Sequence, residues 1–249
     1  MLPKNFLVYG MLFAVCQSGL AGTMSQSHFD SAYHPYGVFT LGGDYMRPGR
    51  AQTVTLLPPF ANYYTNYDDY ASTASLGIGL GIESIKSNGY FWQLGISGYF
   101  NPEITSKGEV WQFTLPEYNN FLYSYETQYS RLVAAGKILG TIENTVHPYL
   151  SGEAGIALNR VSGYHETPLI SEASPMSPYT NNMQSSFTWA VGAGIDVDLN
   201  VPVRLGIGYQ FADLGKAVLG PSPAQVTRET LSINNSYSHQ LRIQLTALI

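Results

Sequence analysis

The sequence has 249 residues and a formal net charge of -5 at pH 7, and 12% of its residues are charged while 13% are aromatic. Soluble domains carry about a quarter of charged residues, and nucleic-acid-binding proteins cluster Lys and Arg, which this acidic chain does not. Its single cysteine, Cys16, lies near the amino terminus, so we expect no disulfide framework and no cysteine-based site in the remainder.

Residues 1–21 have the composition of a secretory signal peptide. Lys4 precedes a short apolar run, and Gly19 and Ala21 supply the small residues of a cleavage site. The apolar run is too short to span a membrane as a helix. The sequence therefore predicts a signal peptide over residues 1–21 and a single mature domain over residues 22–249.

The mature chain contains eight runs in which large apolar side chains recur at every second position. The intervening positions hold glycine, small polar residues or isolated charges. A period of two indicates a β-strand. The predicted strands cover residues 37–46, 75–85, 90–100, 123–138, 146–161, 187–198, 203–212 and 236–249.

The two faces of these strands differ from those of a soluble strand. In strand 203–212, Leu205 and Ile207 lie on one face, while Gly206 and Gly208 lie on the other. A soluble strand would place long polar side chains on its second face. Large residues opposite small ones indicate a transmembrane β-barrel, whose aliphatic side chains meet lipid while small residues crowd a narrow interior.

The connections between the strands alternate between long and short. This alternation is expected of an even-stranded barrel with both termini in the periplasm, because short turns face the periplasm and long loops face outward. The long connections are residues 47–73, 101–122, 162–185 and 213–235, and the short ones are residues 86–89, 139–145 and 199–202. Aromatic residues near the loop-side strand ends predict an outer interfacial girdle of Tyr45, Phe100, Tyr123, Phe187, Trp189, Phe211 and Tyr237.

The charged residues of the strands fix which face points inward. Arg131 at the lipid face would cost about 2–4 kcal/mol, so we place it inside, and the same argument extends to the other strands. We expect the inward charges to pair in a structural network that fills the bore. A proton or ion pathway and a catalytic cluster are the alternatives for this set. Its members are Asp44, Glu83, Arg131, Lys137, Glu153, Asp196, Arg204 and Arg242.

The sequence resembles the small eight-stranded outer-membrane barrels of Gram-negative bacteria, the group that includes the OmpA transmembrane domain, OmpX, OmpW and the opacity proteins. The resemblance rests on the Gly-rich hairpins and on residues 147–152 (HPYLSG) and 206–211 (GIGYQF). It implies an all-β, antiparallel, up-and-down barrel in the bacterial outer membrane. The implied partners are outer-membrane lipid, lipopolysaccharide and the outer-membrane assembly machinery. Members of this group usually end in an aromatic residue, whereas this chain ends in Ile249, and no periplasmic wall-binding domain is expected after the last strand.

The favoured functional hypothesis is a non-enzymatic surface protein whose barrel displays four mobile loops for adhesion, for host or ligand interaction, or for envelope integrity. Loops 47–73 and 101–122 are rich in Tyr and Asn, which suit contact surfaces. The alternative is a small-molecule conduit of the OmpW type. Such a conduit would need large apolar residues on the inward face, which here carries mainly glycine, small polar residues and charges.

A third, less favoured hypothesis is an outer-membrane enzyme that acts on lipid A or on peptides near the outer rim. Such an enzyme needs a nucleophile, a base and an orienting group. We predict no catalytic residues, no cofactor and no metal, because the candidate sets match no rim motif and the early histidines lack zinc-site spacing. The catalytic candidates are Ser162, His165 and Glu166, and His239 with Ser236 or Ser238, and the early metal candidates are His28, Asp30 and His34.

Overall fold

A computed structural model describes residues 33–175, 178–200 and 202–249. The predicted signal peptide lies outside these residues. Within them, no helix is long and apolar enough to cross a membrane. The strands are β1 (Tyr33–Met46), β2 (Gln52–Leu57), β3 (Phe60–Tyr64), β4 (Ala71–Ser84), β5 (Tyr90–Trp111), β6 (Asn119–Gly140), β7 (Val146–Pro168), β8 (Asn182–Asn200), β9 (Val203–Asp213), β10 (Ala217–Val218), β11 (Ser232–Ile233) and β12 (Tyr237–Leu248).

Eight of these strands close into an antiparallel ring in the order β1, β4, β5, β6, β7, β8, β9, β12. The ring closes where β1 pairs with β12, from Tyr36 opposite Leu248 to Met46 opposite Ser238. The predicted eight-stranded antiparallel barrel is therefore confirmed. The short turn between β4 and β5 has positive φ at Asn88 (51°) and Gly89 (80°), which is the conformation that joins two strands tightly.

The outer wall of the barrel is a band of exposed aliphatic side chains. Ile78 and Leu80 are each 69% exposed, and on β9 Ile207 is exposed while its neighbour Gly206 is buried. Burial of such side chains in lipid removes the cost of leaving them in water. This wall is the membrane-spanning surface, and the inward and outward faces predicted for strand 203–212 match it.

The interior is filled by side chains that lie against glycine. Tyr149 points inward from β7, and a Cβ atom at Gly194 or Gly208 would overlap its ring or hydroxyl. A cavity beside Tyr149, lined also by Tyr99, Glu153 and Arg242, has a volume of about 40 Å³, which is room for a few water molecules only. The barrel is a packed body and not an open pore.

Three strands continue beyond the membrane-spanning wall on the loop side. Residues 101–111, 119–122 and 162–168 belong to β5, β6 and β7, so the prediction that these residues are loop is wrong. A register shift between Asn101 and Ile104 accommodates Pro102, since a bulge tolerates a missing amide. Only residues 112–118 separate β5 from β6, and they form two short 3₁₀ turns.

The first long connection also contains regular structure. Residues 47–73 were predicted to be a loop, but β2 and β3 form a hairpin there. The hairpin joins the main sheet through β3, where Tyr63 lies opposite Trp111 and Tyr64 lies opposite Val110 of β5. The continuations of β5, β6 and β7 together with this hairpin are called the outer extension below.

The loops pack together over the outer mouth of the barrel. Leu214, Leu219 and Leu231 of the last long connection are almost fully buried. Tyr123, predicted to lie in the lipid-facing girdle, is instead 3% exposed in this cluster, so its assignment is wrong. The four connections are therefore not independent mobile loops. The cluster, called the outer core below, contains Met46, Val54, Tyr64, Ile104, Val110, Phe121, Tyr123, Tyr125, Tyr129, Val161, Tyr164, Tyr179, Ala190, Ala212, Leu214, Ala217, Leu219 and Leu231.

Candidate functional sites inside and above the barrel

The centre of the barrel holds a carboxylate between two arginines. Glu153 Oε2 lies 3.3 Å from Arg131 Nη1, and Glu153 Oε1 lies 3.1 Å from Arg242 Nη1. The Tyr99 hydroxyl donates to Glu153 Oε1 at 2.7 Å, and both guanidinium groups lie within 4.4 Å of the Tyr99 ring centroid. All these side chains are buried, so water screens these ion pairs little, and one carboxylate is shared between two cations.

A second group of ions lies toward the short-turn end. Arg204 Nη1 contacts Glu83 Oε2 at 2.8 Å, and Arg204 Nε contacts Asp198 Oδ1 at 2.9 Å. Asp198 Oδ2 also contacts His147 Nε2 at 2.9 Å. His147 and Asp198 belong to the network although neither is among the eight predicted inward charges. Asp198 lies two residues after Asp196 on the same strand and therefore on the same inward face, and this spacing could have identified it.

The remaining two acids differ in how they are held. Asp196 pairs with Lys137 at 3.1 Å. Asp44 has no cation within ion-pair distance in the described part of the chain. It accepts hydrogen bonds from neutral donors, namely Ser75 Oγ at 2.8 Å, Asn101 Nδ2 at 2.6 Å and Gln240 Nε2 at 2.8 Å. The structure thus places all eight predicted inward charges in the interior. Seven of them form three ion-paired groups, and Asp44 is linked to the first group through Gln240, whose Oε1 accepts from Arg131 and Arg242.

The candidate catalytic sets do not assemble. Ser162 is buried, and the Glu166 carboxylate accepts a hydrogen bond from Tyr164 at 2.5 Å. The His165 ring lies beside Ser124, whose Oγ is 3.1 Å from Nε2 and 3.3 Å from Nδ1. Because the hydroxyl is nearly equidistant from both ring nitrogens, neither nitrogen is aimed at it as a general base requires.

The second catalytic set is separated by the barrel wall. His239 faces outward, where its Nδ1 lies 2.6 Å from the Tyr209 hydroxyl. Ser238 faces the interior, and the Ser236 hydroxyl contacts Tyr129 at 2.9 Å. Among the described residues, no three His, Cys, Asp or Glu side chains come close enough to hold a metal ion.

The outer end of the extension carries an exposed aromatic cluster that the sequence analysis did not single out. Phe113 packs edge-on against Phe60 (5.7 Å between ring centroids) and against Tyr118 (5.8 Å). These three rings are 47–52% exposed, and Leu57 and Leu115 are comparably exposed. Phe60, Phe113, Tyr118, Leu57 and Leu115 are called the apical patch below. The patch was overlooked because its residues fall in two segments that were predicted to be separate loops.

The chain was compared with known proteins. No protein-family model matches it, and no curated protein sequence matches it. Among solved structures, it is similar to Neisserial surface protein A, with 13% identity over 86% of this chain and 97% of that one and a TM-score of 0.44. It is also similar to the outer membrane protein OprG from Pseudomonas aeruginosa (13% identity, 86% and 96% covered, TM-score 0.45) and to the attachment invasion locus protein Ail of Yersinia pestis (10% identity, 87% and 99% covered, TM-score 0.39).

Proposed function

We propose that this chain is a non-enzymatic outer-membrane protein that binds a partner through the apical patch. The apolar outer wall, the filled interior and the placement of short turns at one end support insertion in the bacterial outer membrane with the extension facing outward. The extension then carries the apical patch away from the lipid surface. The single observation behind the binding role is this group of exposed aromatic rings at the end of a hydrogen-bonded sheet.

The geometry of the patch favours a binding surface. Clustered, exposed apolar side chains on a folded support are typical of interaction sites. The rings are held by regular structure, because β5 pairs with β6 up to Trp111 opposite Asn119 and β3 pairs with β5 next to it. Phe113 and Thr114 have positive φ values of 55° and 61°, a conformation that is uncommon for such residues and is concentrated at functional turns.

The chemistry around the patch indicates a protein partner. Residues 57–66 and 112–122 contain no Lys or Arg, and Glu117 is their one charged residue. Phosphate-rich surfaces such as nucleic acids or anionic membranes attract basic segments, and these two segments contain no basic residue. Aromatic rings with little surrounding charge match the apolar centre of a protein interface.

The filled interior does not support the conduit hypothesis. The residual cavity of about 40 Å³ is lined by charged and hydrogen-bonding side chains such as Lys137, Glu153 and Arg242. The outer core covers the mouth above it. A conduit needs a continuous path through the barrel, and the filled interior and the outer core both obstruct such a path.

The binding role is tested by adhesion of cells that display the protein. We expect a non-adherent bacterial strain that displays the parent chain to bind cultured epithelial monolayers. The triple variant Phe60→Ser, Phe113→Asn, Tyr118→Ser should bind about tenfold less, since aromatic residues carry much of the energy of an interface. Asn is chosen at position 113 because it tolerates the positive φ.

The matched control is Ile142→Ser, which removes a side chain that is 55% exposed in the short turn between β6 and β7, at the opposite end of the barrel from the patch. It should leave adhesion unchanged. Heat-dependent mobility in SDS gels checks that both variants are folded. Parent-like adhesion by the folded triple variant would contradict the proposal.

The secretion signal is also proposed. Residues 1–21 should be absent from protein purified from the outer membrane. Amino-terminal sequencing should then begin at Gly22, and a sequence that begins at Met1 would contradict cleavage.

A further inference from the structure

A single carboxylate accompanies the aromatic rings of the apical patch. Phe113 meets Phe60 at an interplanar angle of 74° and Tyr118 at 84°. Neighbouring rings at nearly right angles form the walls of a corner, and a small group in such a corner contacts more than one ring. Glu117 directly precedes Tyr118, is exposed, and forms no ion pair with a residue of the described chain. Aromatic rings and a negative charge are therefore offered on one surface.

Hydrogen bonds hold the segments that carry these rings. The main-chain N–H of Phe113 donates to Asn62 Oδ1 of β3 at 3.3 Å, which ties the turn that carries Phe113 to the hairpin that carries Phe60. The main-chain N–H of Tyr118 donates to the carbonyl of Leu115 at 3.0 Å. The rings are therefore arranged before a partner arrives, and this reduces the entropy lost on binding.

The barrel interior shows how a ring and a carboxylate together hold an ammonium group. The Lys137 ammonium lies 4.0 Å from the Tyr149 ring centroid and 3.1 Å from Asp196 Oδ2. At the apical patch, by contrast, no Lys or Arg of the described chain lies over a ring, and residues 57–66 and 112–122 contain neither residue type. A cation that binds the apical rings must therefore come from another molecule.

We propose that the apical patch binds the ammonium group of a lysine side chain on the protein partner. This inference rests on the proposed binding function and names the chemistry that the partner presents. Ring faces attract cations through their quadrupole, and Glu117 adds the opposite charge. A compact ammonium contacts perpendicular rings together, whereas a planar guanidinium lies flat against one ring at a time. The net charge of -5 also favours the approach of a basic partner.

Direct binding to the purified full-length protein tests the preference for a cation. The protein is held in an uncharged maltoside detergent. The probes are choline, whose permanent ammonium stands in for that of lysine, and 3,3-dimethylbutan-1-ol, its neutral analogue of the same shape. We expect choline to shift the NMR signals of isotope-labelled Phe60 and Phe113 rings and to bind about fivefold more tightly than the neutral analogue.

Glu117→Gln should weaken choline binding about threefold, which is the effect of losing one exposed ion pair. The matched control is Glu103→Gln, which removes an exposed carboxylate from β5 three residues after the lipid-facing Phe100, away from the patch. It should leave choline binding unchanged. An equal loss in the two variants would overturn the role of Glu117.

Adhesion to chemically modified epithelial monolayers tests the assignment to lysine. Acetylation of cell-surface amines removes their charge, whereas reductive methylation keeps it. Cells that display the parent chain should bind acetylated monolayers about tenfold less than methylated ones, as expected for the loss of a central contact. Treatment of the monolayers with phenylglyoxal, which modifies arginine, should leave adhesion unchanged.

The binding function and the ammonium assignment fail on different results. Parent-like adhesion by the folded triple variant contradicts the binding function. Reduced adhesion by that variant, combined with equal binding of choline and its neutral analogue or equal adhesion to acetylated and methylated monolayers, overturns the ammonium assignment alone. A loss of adhesion after phenylglyoxal treatment only would overturn the assignment to lysine in favour of arginine.

Discussion

Glu153 is the shared counter-ion of two arginines that approach from different strands of the barrel. Removal of its charge leaves Arg131 and Arg242 buried near each other with no shared counter-ion. We expect Glu153→Gln to lower the free energy of unfolding by about 3–5 kcal/mol, the cost of an uncompensated buried charge. Urea titration of the detergent-folded protein, followed by heat-dependent gel mobility, measures the change.

The control for Glu153 is Tyr99→Phe, which removes one hydrogen bond to the same carboxylate. It should cost about 1 kcal/mol. If Glu153→Gln proved no more destabilising than Tyr99→Phe, the ion pairs would not hold this part of the barrel together.

The stability of the outer extension depends on pH through the carboxylate of Glu109. The indole of Trp111 donates to Glu109 at 3.0 Å and the Tyr67 hydroxyl donates at 2.7 Å. These bonds, with Trp111 first, lower the pKa of Glu109 below its ordinary value of 4.5. When the pKa of an acid is lower in the folded state than in the unfolded state, its charged form stabilises the fold. This stabilisation is complete above the pKa of the unfolded state, and it is lost as the pH falls through the pKa of the folded state.

We therefore expect a change in Trp111 fluorescence as the pH falls below the ordinary glutamate pKa of 4.5, because the Glu109 carboxylate takes up its proton only at a lower pH than that. The spectrum of Trp111→Phe, subtracted from that of the parent, isolates this signal from Trp92 and Trp189. In Glu109→Gln the same titration should be flat. A transition that persists in that variant would assign the effect to another group.

At the scale of the elements, β7 carries two glycines with opposite requirements. A Cβ atom at Gly155 would overlap the main-chain carbonyl of Leu132 on β6, whereas a Cβ atom at Gly152 would meet nothing within 4 Å. We expect Gly155→Ala to destabilise the barrel by about 1–3 kcal/mol, since the neighbouring backbone must shift. Gly152→Ala should change stability by less than about 0.5 kcal/mol. Equal effects in urea titrations would contradict this assignment of contacts.

The membrane-spanning parts of the strands are predictable from sequence because lipid imposes one rule on them. Large apolar residues face outward, and small or paired polar residues face inward. Above the membrane this rule reverses. On β5, Ile104 and Val110 face inward and are buried, while Glu103 and Lys107 face outward. The alternation of side chains continues through residues 101–111. Because the outward-facing residues are no longer apolar after Phe100, the sequence pattern predicts that the strand ends there and that a loop follows.

The packing of the outer extension and the outer core depends on contacts between distant parts of the chain. Thr227 donates to the carbonyl of Thr55, and Gln52 bonds the main chain of Ser232. No local pattern in either segment specifies the other. The inward charges could be predicted because each one follows the parity of its own strand. The ion pairs that these charges form could not be predicted, because they depend on the stagger of all eight strands.

At the scale of the whole molecule, two obstructions lie in series along the barrel axis. The outer core closes the mouth, and the ion network fills the bore below it. We expect planar-bilayer recordings of the parent to show no steady conductance. Replacement of residues 217–232 by a short turn, which removes Leu219 and Leu231 from the outer core, should still give no steady conductance. Regular channel openings in the parent would revive the conduit hypothesis.

The pairing of β1 with β12 also constrains how fast this protein can fold. Gln240 on β12 binds Asp44, which precedes it by 196 residues, and Arg242 and Gln244 bring partners to Glu153 and Lys137. Until β12 pairs with its neighbours, Asp44, Glu153 and Lys137 lack the hydrogen-bond and ion-pair partners that it supplies. A barrel without its final strand is therefore less stable. Contacts of such large sequence separation slow the search for the native state. We therefore expect refolding from urea into micelles to be a slow process in which closure of the ring is rate-limiting, with Gln240→Ala slowing it more than a change on β4.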